Sequence, residues 1–259
     1  MILYYLSAAG NSLHAAKYLA ARFTGAGEAV RLIDMAEALR NGELQPEGTV
    51  GLVMPLHYFG VPLLAEEFLT RMDWHRTDYR FVVMTCGSHY MSNAFHQLTA
   101  SLAARGTVLD AAFYVDMLSI YLPLGDIPPA AKRERQLQKA DVRLAWIAGQ
   151  LQQRVRKQDR EYLNLVSRLI HDYTRRHRSE LDANFTVGED CIGCGRCAAV
   201  CPAANIRLED GRPVWQHRCT QCLGCLHICP QKTIELGQKT KGRQRYRHPQ
   251  ISVEELLHR

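Results

Sequence analysis

Eight of the nine cysteines fall between residues 191 and 229, in two blocks of the same design. The first reads Cys191-x2-Cys194-x2-Cys197-x3-Cys201-Pro202, the second Cys219-x2-Cys222-x2-Cys225-x3-Cys229-Pro230. A constant offset of 28 residues relates them, and it also carries Ile206 onto Ile234 and Leu208 onto Leu236. The pattern is therefore an internal repeat. Two-residue gaps let three successive thiolates face one centre, and a fourth thiolate completes the ligand set of a cubane iron–sulfur cluster. Gly193 and Gly195 allow the backbone close to such a centre, so that amide N–H groups can aim at sulfur. The prolines lack an N–H and turn the chain away. Structural zinc also uses Cys-x2-Cys pairs, but typically two pairs across a longer loop. Two tandem runs of four, each ending in Cys-Pro, point instead to two [4Fe-4S] clusters.

This segment resembles two-cluster ferredoxins, in which the fourth cysteine of each block ligates the other cluster. The resemblance implies that Cys191, Cys194, Cys197 and Cys229 hold one cluster, and that Cys219, Cys222, Cys225 and Cys201 hold the other. Ile192, Ala198, Val200, Ile206, Val214, Ile228 and Ile234 are predicted to form an apolar jacket that excludes water and helps set the potentials.

A second constellation lies at the other end of the chain. Ser7-Ala8-Ala9-Gly10-Asn11-Ser12 follows a short apolar run and precedes a helical pattern. A loop at a helix N-terminus presents free N–H groups and the positive end of the helix dipole. Ser7 and Ser12 add hydroxyls, Asn11 an amide, and Gly10 a tight backbone approach, a combination suited to a phosphate monoester. The same residues are also an ordinary helix cap.

Ser-x-x-Gly-Asn-Ser after an opening strand resembles the FMN phosphate loop of flavodoxins, a fold that binds FMN at the carboxyl edge of its sheet. Ala9 stands where that family usually has a threonine, and a lost hydroxyl-to-phosphate bond is worth about 1.5–3 kcal/mol. The resemblance implies two more loops at the flavin ring: Tyr58, Phe59 and Gly60 after the third strand, and Cys86, Gly87 and Tyr90 after the fourth. Tyr58 and Tyr90 are candidates for stacking, and Gly60 and Gly87 for backbone contact. Cys86 reads as a buried thiol that packs as a small hydrophobe, and His57 and His89 as polar loop residues.

These loops need elements to hold them. Strand patterns run over 2–6, 29–33, 50–54, 81–86 and 108–115, and helical patterns over 11–23, 63–72 and 92–105. Their alternation predicts βαβ units and a parallel sheet. Residues 129–181 read as two connecting helices with solvated basic faces. One apolar stripe is Leu137, Ala140, Leu144 and Ile147; the other is Leu163, Val166, Leu169 and Ile170.

The fold class expected is thus α/β: a flavodoxin-like doubly wound parallel sheet followed by a small α+β two-cluster ferredoxin domain. The expected division is a flavodoxin-like part at 1–128, a helical connector at 129–181, the cluster domain at 182–237 and a basic C-terminal arm at 238–259. The formal charge of +6 suits an acidic partner or an anionic cofactor. The cations are too dispersed to predict nucleic-acid binding. No signal-peptide pattern opens the chain, and no apolar run is long enough to span a membrane. A cytoplasmic address is expected, where thiols stay reduced and clustered cysteines bind metal.

Taken together, the chain resembles fused flavodoxin–ferredoxin proteins of bacteria, mostly anaerobes. The likeness extends to Arg245-Tyr246-Arg247-His248-Pro249, similar to the family's Arg-Tyr-x-His-Pro ending, whereas 118–129 lacks the family's usual Asn-Tyr. The resemblance implies a low-potential electron-transfer protein that passes electrons between the clusters and FMN, served by an unidentified redox partner. FMN-dependent reduction of a small molecule, and a flavin-free redox sensor, are the alternatives.

Overall fold

A computed structural model describes residues 1–162 and 164–257. Leu163 of the expected second stripe, and positions 258 and 259 of the arm, lie outside the described residues.

Five parallel strands form the central sheet: β1 (Ile2–Tyr5), β2 (Arg31–Asp34), β3 (Gly48–Pro55), β4 (Thr77–Cys86) and β5 (Ala111–Asp116). Their order is β2-β1-β3-β4-β5, the doubly wound flavodoxin-like order, whose switch point lies between β1 and β3. Successive side chains along β4 alternate between the two faces: Phe81 and Val83 to one, Val82 and Met84 to the other. Gly51 on β3 lies where an added Cβ would sit 2.4 Å from both Leu3 and Phe81. The sheet is packed too tightly there for any side chain.

The face of Val82 and Met84 is covered by α2 (Met35–Asn41), α3 (Leu63–Arg71) and α4 (Ala94–Ala103). Helix α2 is not among the helices expected from periodicity, although its end signals are present. Asp34 caps it by accepting from the N–H groups of Ala36 and Glu37 at 2.8 and 3.2 Å, and Gly42 ends it in the left-handed region.

The face of Phe81 and Val83 is covered by α1 (Asn11–Gly25) and α5 (Ala130–Gln152). Thus α5 is no free connector. Its stripe of Ala140, Leu144, Ile147, Ala148 and Leu151 is built into the core beside α1 and β5. The chain after it returns along the exposed edge of β5. Ala112 donates to the Lys157 carbonyl at 3.0 Å, and Asp159 donates to the Ala112 carbonyl at 2.8 Å. That segment occupies the edge that would otherwise be open to pairing.

Helix α6 (Leu165–Arg176) corrects the second expected stripe. Val166 and Leu169 are 58% and 61% exposed, whereas Ser167, His171 and Thr174 face inward. The inward face is polar because partners await it: His171 bonds the Val61 carbonyl through Nε2 at 2.9 Å and Gln97 through Nδ1 at 3.1 Å.

The C-terminal segment has two antiparallel pairs, β6 (Phe185–Val187) with β9 (Ile234–Leu236) and β7 (Ile206–Glu209) with β8 (Arg212–Trp215). Short helices α7 (Arg196–Ala199) and α8 (Gly224–Ile228) stand at corresponding places in the two cysteine blocks. No described helix is long and apolar enough to cross a membrane.

Candidate functional site

The loop after β1 reverses direction at Gly10, where φ is +98°, and enters α1 directly. Ser7 Oγ accepts from the Gly10 N–H at 3.2 Å, closing the loop on itself. Ser12 Oγ lies 2.8 Å from the Thr85 hydroxyl at the end of β4. Asn11 Nδ2 donates to the Leu118 carbonyl at 3.3 Å. The loop is therefore fixed to the carboxyl ends of the neighbouring strands before any ligand is present.

A cavity of about 610 Å³ opens at this sheet edge, within the size range of small-molecule sites. Ser7, Ala8, Ala9, Asn11 and Ser12 form one end; Tyr58, Phe59, Cys86 and Gly87 line it further along. Three expected residues fall elsewhere. Gly10 is turned away beneath the C-terminal arm, where an added Cβ would sit 2.9 Å from that of His248. Gly60 packs against His171 and Gln97 instead of facing the cavity. Tyr90 is 87% exposed and does not line it. Thr85 and the 118–121 stretch of the β5–α5 loop complete the wall, and neither is among the residues expected from sequence. Carboxyl-end position on the sheet was the available signal for both.

The second cysteine block also lines the cavity, through Gln221, Cys222 and Leu223. Tyr58, expected to stack, is tied by its hydroxyl to Gln221 and lies 3.1 Å from the Tyr121 hydroxyl. Tyr121 also donates to Gln221 Oε1 at 2.9 Å, and Gln221 Nε2 donates to the Leu181 carbonyl at 2.7 Å. This knot joins the two halves of the chain at the cavity. Gly224, at the start of α8, packs beside Ala8: an added Cβ would sit 3.5 Å from it, in ordinary van der Waals contact.

Burial pushes His57 down to about 4, with His171 adding to the effect, so its imidazole is neutral at physiological pH. Its Nδ1 is buried and has no hydrogen-bond partner among the described residues. A backbone loop at a helix N-terminus and an aromatic flank of Tyr58, Phe59 and Tyr121 together fit an anionic, planar, partly polar ligand such as FMN. Cys86 is held protonated chiefly by burial and also by Asp116, whose Oδ1 lies 3.2 Å from the thiol. It is a buried thiol, as read from sequence.

The eight clustered cysteines form no disulfide. Cys191, Cys194, Cys197 and Cys229 surround one small cavity, which brings the fourth cysteine of the second block to the first three of the first block. Cys201 lies close enough to Cys219 and Cys225 to influence both thiols. Burial comes first in raising the Cys197 thiol to about 11, and it raises those of Cys219 and Cys225 as well. Iron must therefore displace protons from these sites, and metal binding and folding are coupled. Four convergent thiols at each place fit a cubane cluster. Of the expected jacket, Val200, Ile206, Ile228 and Ile234 are buried, whereas Ile192 is exposed.

The C-terminal arm docks over both halves. His248 donates its N–H to the Ala9 carbonyl at 2.8 Å, and its ring stacks on His14 at 4.0 Å. His227 on α8 accepts from the Tyr246 N–H at 3.1 Å through Nδ1 and donates from Nε2 to the Ile120 carbonyl at 2.8 Å. Burial pushes His227 down to about 4, which keeps this neutral tautomer. Ile251 and Leu256 join Leu13, Val200 and Ile228 in one apolar cluster.

Residues 190–234 match the family model of the 4Fe-4S dicluster domain. The C-terminal segment is a 4Fe-4S dicluster domain. Its similarity to a component of the ion-translocating oxidoreductase complex of Methanosarcina acetivorans is 39% identity over 71 residues, 27% of each chain. A ferredoxin-like protein in nif region from Trichormus variabilis is 35% identical over 49 residues, 18% of this chain and 42% of that protein. The chain spans less than half the length of these curated relatives. Among solved structures, rubredoxin oxygen:oxidoreductase from Desulfovibrio gigas aligns with a TM-score of 0.36 and 17% identity, over 58% of this chain and 36% of that one. Azoreductase AzrA aligns at 0.38 and 10% identity, over 58% of this chain and all of that one. The chain thus joins a flavodoxin-like α/β fold, assigned from its strand order, to a dicluster ferredoxin domain.

Proposed function

We propose that this protein is a low-potential iron–sulfur flavoprotein that passes electrons between two [4Fe-4S] clusters and FMN. The observation that carries this reading is the shared wall: Cys222 and Leu223 of the second block line the same cavity as the loop from Ser7 to Ser12. FMN exchanges two electrons or one, and a cubane carries one. In this reading Cys191, Cys194, Cys197 and Cys229 hold the outer cluster. Cys219, Cys222, Cys225 and Cys201 hold the inner one. The backbone of the Ser7–Ser12 loop receives the phosphate, and Tyr58, Phe59, Gly87 and Tyr121 flank the ring. Exposed Cys194 at one end and Cys222 at the cavity support an order from surface to outer cluster, inner cluster and flavin. Joining the centres in one chain replaces collisions with a fixed separation at high effective concentration.

The test is anaerobic purification followed by assay of iron, acid-labile sulfide and released flavin. The reading requires about eight iron, about eight sulfide and about one FMN per chain. Full iron with no flavin, even after incubation with excess FMN, overturns the flavin half of it.

A further inference from the structure

The second cysteine block faces the flavin cavity on one side. Arg218, just before that block, and Pro202, at the end of the first block, line a separate cleft of about 590 Å³ that is rich in arginine. Arg40 of α2, Arg71 of α3, Arg176 at the end of α6, Arg178 and Arg218 all line it, and Glu67 is its sole carboxylate. Among the described residues, none of Arg40, Arg71, Arg176 and Arg218 forms an ion pair, and all four are exposed. Arg178 and Arg218 are fixed by backbone instead. Arg178 donates to the Arg218 carbonyl at 3.2 Å, and Arg218 donates to the Ala204 carbonyl at 2.9 Å. The floor is Pro202, Ala203 and Ala204, which directly follow Cys201, and Arg218 directly precedes Cys219.

Uncompensated like charges repel one another, so a cluster of five guanidinium groups with one acid is stabilised by an anionic counterpart. Planar guanidinium groups are weakly hydrated and match carboxylates in two-point hydrogen bonds. Arg218 directly precedes Cys219 and the lining Pro202 directly follows Cys201, two cysteines read above as ligands of the inner cluster, which gives that counterpart a reason to be a redox protein. We propose that this arginine cleft is the docking surface for an acidic electron-carrier protein. The inference rests on the electron-transfer reading above and adds where the partner binds and what charge it bears. One electron leaves the carrier's reduced centre and is taken up by this chain; no bond forms or breaks. Steering by the cleft raises the rate of encounter and makes it sensitive to salt.

The experiment uses the full-length, cluster-loaded protein and a reduced plant-type [2Fe-2S] ferredoxin, an acidic carrier, as probe. Association is followed by stopped flow across a range of ionic strength. Two triple variants with the same charge change are compared: Arg40→Glu, Arg71→Glu, Arg176→Glu in this cleft, and Lys132→Glu, Arg135→Glu, Lys139→Glu in a second basic cavity, between α5 and the end of β5. The cleft variant should associate about tenfold or more slowly than the parent, with a flatter salt dependence, and the α5 variant within about threefold. Equal losses in both variants would reduce the effect to net charge and overturn the proposal. So would an unaffected cleft variant, or a parent that does not associate. Iron content and reduction by methyl viologen are measured in parallel. If these are normal in the parent, a failed docking result leaves the electron-transfer reading standing; a parent whose clusters methyl viologen cannot reduce counts against that reading itself.

Discussion

The Tyr246 hydroxyl donates to Asn11 Oδ1 at 2.7 Å, across 235 residues of sequence. Asn11 in turn donates to the Leu118 carbonyl. One side chain therefore holds together the loop after β1, the loop after β5 and the C-terminal arm. Asn11 is committed to this clamp, so under the flavin reading proposed above the donors left for a phosphate are chiefly the loop's backbone N–H groups.

Replacing Tyr246 with Phe removes one bond and leaves Asn11 Oδ1 short of a donor. The expected cost is about 1 kcal/mol, seen as a rise of about fivefold in the dissociation constant for FMN. Iron content should be unchanged. Flavin titration of the apoflavin protein measures the first and a ferrozine assay the second. An unaltered flavin affinity would separate the clamp from the site.

The arm should loosen in acid. Burial, and then the neighbouring His14, push His248 down to about 3, below its value of about 6.5 in an unfolded chain. Between those limits the detached arm binds more protons than the docked one, so docking is strongest above about pH 6.5 and weakens as pH falls toward 3. His248 faces the stacked His14 ring, which is itself paired with Asp141 at 2.7 Å through Nε2. Hydrogen exchange at residues 246–251 should accelerate from pH 7.5 to pH 5 beyond the intrinsic trend. His248→Gln should lose that excess; if both proteins show the same slope, the histidine is not the cause.

The crossed ligand sets proposed above make a clear distinction among cysteines. Cys229→Ala should lower iron from about eight to about four per chain by removing a ligand of the outer cluster. Cys86→Ala should retain full iron. Electron paramagnetic resonance of the reduced Cys229 variant should show a single remaining cubane without the broadening of a coupled pair. Loss of the inner cluster's signal instead would reverse the assignment.

Ala9, the departure from the flavodoxin pattern, has a packing explanation. It is 3% exposed and belongs to the apolar cluster that contains Leu118, Leu122, Leu223, Leu226 and Tyr246. A larger residue there meets the docked dicluster domain and arm. Ala9→Thr should therefore destabilise the protein by about 1–3 kcal/mol; chemical denaturation of the cluster-loaded protein measures it. A threonine variant of equal stability that binds FMN more tightly would show that the space is free.

Much of this protein is determined by short stretches of sequence. The cysteine spacing defines a dicluster domain because ligand convergence is a local property of a chain curling around one centre. The βα alternation defines a parallel sheet, since strand and helix periods are read over a few residues. The strong cap at Asp34 and the stop at Gly42 are equally local, and α2 is legible there even though its apolar pattern is short.

Tertiary structure decided the rest. A stripe on a helix does not state what it packs against: that of α5 entered the sheet's core, whereas α6 turned Val166 and Leu169 outward because His171 found Val61 and Gln97 inside. Tyr90 and Gly60 sit in loops whose directions depend on neighbours remote in sequence, so one projects into solvent and the other faces α6. Most of all, no local pattern places Gly224 against Ala8 or Tyr246 against Asn11. Those contacts arise from the docking of one domain and one arm onto another, where complementary shape and paired polar groups act between residues more than two hundred positions apart.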